Sequence, residues 1–188
     1  MELTARAKTP SLADKLGDTA HVSALLRKVC AMSGIDEGRV GEWLLKCAVG
    51  RGATHYEREF SDDLPSDKPA LSDEELGVAL CLGQHDYNPV YVRAAAQLLS
   101  SSSINAPRLC RFALMERVES VLFFIAHVAE RFAPPAEPWR YLREHLRPRR
   151  AIASDALPHW SRFVSQTGVT PFGGPPAIKW LSRGQPAG

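Results

Sequence analysis

The chain has no long apolar run. Its longest, Val121-Leu122-Phe123-Phe124-Ile125-Ala126, falls far short of the ~18 residues that cross a bilayer, so no membrane-spanning helix is expected. An apolar leader is missing too, because Met1 to Lys15 mixes Glu2, Arg6, Lys8, Asp14 and Lys15. That argues against a secretory signal and for a cytoplasmic location. Cysteine is scarce, with four residues at 30, 47, 81 and 110 and no CxxC pair. Each lies in a helical, apolar context, so all four are expected as buried, reduced thiols rather than as a zinc clip. G-x-x-x-x-G-K-[ST] and G-x-G-x-x-G loops are absent, and so is a G-x-S-x-G elbow. The usual signatures of phosphate cradles and hydrolase nucleophiles are thereby removed. No run sustains apolar–polar alternation, so no sheet is expected.

What the chain does have is helical periodicity. Its 188 residues, 45% hydrophobic and 23% charged, suffice for one buried core. His21 to Ser33 carries Val22, Leu25, Leu26 and Val29 at helical spacing, with Gly34 as a stop. Asp36 is placed to cap a second helix bearing Val40, Trp43, Leu44, Cys47 and Ala48, and the short connection suggests a hairpin. Residues 51–70 turn polar and irregular, with a short helix near Tyr56. Ser72-Asp73-Glu74-Glu75 fits a capping box, and Asn88-Pro89 and Asn105 followed by Pro107 are further helix starts. Those two starts are 17 residues apart, which is one weak repeat and no solenoid. Val118 to Phe132 has the densest stripe and is expected as the central helix. Trp139 to about Leu146 follows three prolines, and a last helix is expected from Ser154 to Gln166.

The expected fold is therefore all-α, a compact bundle of six to eight helices with an N-terminal helical hairpin and an irregular Gly/Pro-rich C-terminal tail. Residues 1–20 would be a flexible lead-in, 21–50 the hairpin, 51–70 a polar linker, 71–168 the main bundle and 169–188 the tail.

Catalytic signals are weak. His55-Tyr56-Glu57 has the H-x-E spacing of zinc deaminases but lacks the downstream P-C-x-x-C. His85-Asp86 could ligate a divalent cation, yet it sits in a turn before Asn88 with no second cluster to complete a coordination shell. No catalytic residue, metal ligand or cofactor is assigned.

The one functional accent is basic. Residues 133–188 hold eight Lys/Arg against three Asp/Glu, a net +5, while residues 1–132 hold fifteen against eighteen, a net −3. Within Trp139 to Arg150 five arginines face one glutamate. Trp139, Leu142 and Leu146 fall on one helical face and Arg140, Arg143 and Arg147 on the other, with Arg149 and Arg150 extending the charge beyond Pro148. Arginine forks suit carboxylate and phosphate. The tail adds Phe172, Ile178, Trp180 and Leu181 among glycines and prolines, and such aromatics dock somewhere, on their own bundle or on a partner. The expected function is a non-enzymatic interaction or regulatory module that binds a protein partner through Trp139, Arg140, Arg143, Arg147, Arg149, Arg150 and Trp180. The alternatives are a nucleic-acid-binding regulator using the basic C-terminal third and a small metal-dependent hydrolase. Membrane binding is not expected, since the apolar face is narrow and needed by the core. Oligomeric state has no signature in the sequence.

Overall fold

Four of the seven described α-helices begin where a side chain accepts from free backbone N–H groups. The computed structural model describes residues 23–59, 70–82, 88–135, 138–148, 157–167 and 177–184. Helix α1 (Ala24–Ser33) starts at Ser23, whose Oγ accepts from Leu26 N, and ends at Gly34 in the left-handed conformation. Helix α2 (Val40–Gly50) follows a 3-10 turn (Glu37–Arg39), so Asp36 does not cap it through its side chain as expected; instead its carbonyl accepts from Arg39 N and opens the turn. A second 3-10 segment (Thr54–Glu59) buries Tyr56. Helix α3 (Asp73–Leu80) has the full capping box, with Glu75 N donating to Ser72 Oγ and Ser72 N to Glu75. Asn88 caps α4 (Pro89–Leu99) and Asn105 caps α5 (Ala106–Met115), each with proline in the first turn. Helices α6 (Glu119–Phe132) and α7 (Trp139–His145) complete the seven α-helices among the described residues. None of these is long and apolar enough to cross a membrane.

One hydrophobic cluster runs from Leu25 to Trp180. The fold is all-α in character, as expected, but α3 is its hub: it packs against α1, α2, α4 and α5. Helix α6 was the expected centre, and its Val121, Leu122, Ile125 and Ala129 are indeed buried. Phe123, Phe124 and Phe132 are only partly so, and they meet Arg143, Phe163 and Trp160 respectively. Two buried glutamates join distant segments: Glu74 accepts from Asn105 N, and Glu116 accepts from Ser23 Oγ and Leu25 N at the start of α1. The cysteines divide. Cys81 and Cys110 are buried, whereas Cys30 and Cys47 are half-buried, which corrects the expectation for those two. Burial pushes the Cys81 thiol up to about 12.

The C-terminal third departs most from expectation. No helix occupies 157–167; a 3-10 turn (Trp160–Phe163) runs straight into strand β1 (Val164–Thr167). His159 opens the turn by accepting from Ser161 N. Strand β1 pairs antiparallel with β2 (Ala177–Trp180), Val164 opposite Trp180 and Thr167 opposite Ala177. The expectation of no sheet is thus corrected. Four-residue strands are too short to leave a visible period, and their position is fixed by contacts beyond them. Gln97 donates to Ser182 O, Arg183 bonds Asp73 and Arg51 O, and Gly184 N donates to Gly52 O. Residues 177–184 therefore lie as a strap across the bundle.

Candidate functional site

Helix α7 begins after Pro138, whose fixed φ suits the first turn. Trp139, Leu142 and Leu146 are buried, as the spacing requires. Trp139 meets Trp180 edge-on at 5.9 Å, and Trp180 stacks on Phe163 at the same separation. The Trp180 indole N–H donates to Ser100 Oγ. Each of these tryptophans is only 2% exposed, so neither ring faces solvent while the strap is docked.

One residue's advance turns a helix by about 100°, so the arginine stripe borders the buried stripe instead of opposing it. The three arginines consequently differ. Arg140 has 84% of its side chain exposed and lies 4.0 Å from Glu144, a loose pairing one turn away. Arg143 is 26% exposed, pairs with Glu130 at 3.1 Å and lies 4.1 Å above the Phe123 ring. Its guanidinium thus clamps α7 to α6 by an ion pair and a cation–π contact together. Arg147 donates to the carbonyls of Arg143 and Leu146, which satisfies acceptors left open at the end of α7. Tyr141 and His145 stack at 3.8 Å on the same helix. Arg149, Arg150, His85 and Asp86 lie outside the described residues.

Beside α7 is a cleft of about 180 Å³ where α6 ends and α7 begins. Ala129, Ala133, Pro134, Pro135 and Trp139 give it apolar walls, and Glu130 and Arg140 stand with them. The structure thus brings Trp139 and Arg140 to one cleft and puts Arg143 and Arg147 to work within the fold. Sequence reasoning did not reach this cleft. Its walls come from a proline turn read only as a helix terminator, and the Arg143–Glu130 pair spans thirteen residues with no local mark. His55 and Glu57 are exposed on their 3-10 segment, and among the described residues no group of three His, Cys, Asp or Glu is placed to hold a metal ion.

Comparison with family models, with curated proteins and with solved structures finds no match for this chain.

Proposed function

We propose that the protein is a non-enzymatic interaction module that binds a segment of a protein partner at the α6–α7 cleft. The observation that supports this is the combination of small apolar walls with the exposed, loosely paired guanidinium of Arg140. Such a site suits a partner segment carrying a carboxylate next to a small apolar side chain, since the fork of arginine binds carboxylate bidentately. Nucleic acid is the weaker reading, because Arg143 and Arg147 already spend donors on Glu130 and on helix carbonyls. Fewer forks then remain for phosphate on this face.

The test is quantitative capture from the native host lysate with the wild type, with Arg140→Glu and with Ala133→Trp, which fills the cleft. A partner held by the wild type and lost by both variants, with circular dichroism unchanged, supports the reading. Retention by both variants sinks it. Salt-sensitive binding of a nucleic-acid duplex, measured by fluorescence anisotropy and lost in Arg140→Glu, would favour the regulator instead.

A further inference from the structure

The end of α6 and the 3-10 turn Trp160–Phe163 meet in a run of four planar side chains. The His159 ring lies 5.3 Å from that of Trp160, Trp160 stacks on Phe132 at 5.5 Å, and the Arg131 guanidinium lies 5.8 Å over the Phe132 ring. Every step is a ring-to-ring or cation–π contact, so the four side chains form one ladder across two elements. Trp160 and Phe132 are half-buried in its middle, while His159 and Arg131 are exposed at its ends. Of the four tryptophans, Trp160 alone is not buried. The ladder thus spends its inner faces on itself and offers planar groups to solvent at both ends.

The charge around the ladder has one sign. Residues 156–188 contain no aspartate or glutamate. Arg162, three residues after His159 on the same turn, is exposed, and its carbonyl is held by Arg93 Nε at 3.1 Å. His127 is exposed one turn before Arg131 on α6. The acid adjoining the ladder, Glu130, pairs with Arg143 at 3.1 Å and so faces α7.

We propose that this ladder binds single-stranded nucleic acid, an unpaired base stacking on the free face of His159 and backbone phosphates meeting Arg131 and Arg162. Aromatic rings beside cations are what such a strand uses, and because every base has a π-face the site takes strand rather than sequence. A duplex fits less well, since its bases stack on one another and are closed to His159. An acidic peptide would pair with the arginines but leave the His159 ring without a role. This surface differs from α7, where Arg143 and Arg147 already spend donors within the fold.

The probes are fluorescently labelled oligothymidylate and oligouridylate, with a DNA duplex and polyglutamate as comparisons, followed by anisotropy on the full chain. At low salt one or both single strands should bind. The slope of log affinity against log salt should flatten by about 0.7 for each of Arg131→Ala and Arg162→Ala. His159 also accepts from Ser161 N at the start of the turn, so two substitutions separate its ring from its cap. His159→Asn keeps an acceptor without the ring, and His159→Phe keeps a ring without the acceptor. The asparagine variant should bind at least about tenfold more weakly, and the phenylalanine variant should stay within about twofold of wild type. Thermal denaturation verifies that each variant is folded. Loss in His159→Phe with retention in His159→Asn would make His159 a cap and nothing more. That pattern, slopes unchanged by the arginine substitutions, duplex or polyglutamate bound as tightly as single strand, or no single-strand binding at low salt would each overturn the proposal.

Discussion

Glu75 illustrates how one side chain can serve two levels of organisation. Its carboxylate closes the capping box on Ser72 N at 2.8 Å and reaches Lys28 of α1 at 2.7 Å. Burial works to raise its pKa, but the bonds from Lys28 and Ser72 outweigh this and hold the carboxyl below its ordinary 4.5. A depressed folded pKa means stability that is fully present above the unfolded value and lost as pH falls through the folded one. Glu75→Gln should therefore be less stable than the wild type at neutral pH, with the gap narrowing between about pH 5 and pH 3. Urea midpoints measured across that range check this; a gap independent of pH would show that the charge of Glu75 is not what matters. The arginines give the same lesson in reverse. Their number reads as a binding stripe, yet Arg143 is consumed by the fold and Arg147, though exposed, turns back onto helix carbonyls, while Arg140 has a loose pairing alone.

At the scale of elements, the strap is held by a close backbone approach. Gly52 has φ +106, and a methyl added to it would lie 2.5 Å from the Gly184 carbonyl oxygen. Gly34 has φ +64 but open space around it. Alanine at either position meets the left-handed penalty of ~1–2 kcal/mol. Gly52→Ala should cost more than Gly34→Ala and should displace the strap, seen as a red shift in tryptophan emission as Trp180 meets water. Equal costs and unchanged emission would mean that the strap does not depend on this approach. The contrast also explains what was legible in the sequence. Ser72 with Glu75, Asn88 with Pro89 and Asn105 act within three residues, so their helix starts could be read directly. The strap joins Gly184 to Gly52 and Arg183 to Asp73, and no local pattern marks such pairs. Its strands, the cleft walls and the bonds from Glu116 to the start of α1 were illegible for that same reason. Of the tail aromatics, Trp180 did signal docking and packs on the chain's own Trp139 and Phe163, while Phe172 lies outside the described residues.

For the whole molecule the question is whether the strap is a detachable layer or part of the cooperative core. Trp180 belongs to the same buried cluster as Leu122, although one lies on the last strand and the other on α6. The strap also ties α2, α3 and α4 through Arg51, Asp73 and Gln97. Domains of this size are stable by only ~5–15 kcal/mol, so a loss of a few kcal/mol is a large share. Leu122→Ala should cost ~2–5 kcal/mol and Trp180→Ala ~3–5 kcal/mol, since each empties a fully enclosed site. If the strap is integral, both variants should unfold in a single denaturant transition, with tryptophan emission and far-ultraviolet circular dichroism changing together. A Trp180→Ala variant whose emission changes well before its helical signal would show that the strap opens on its own. A loss in Leu122→Ala below ~0.5 kcal/mol would instead place α6 outside the cooperative core, against the complete burial of Leu122.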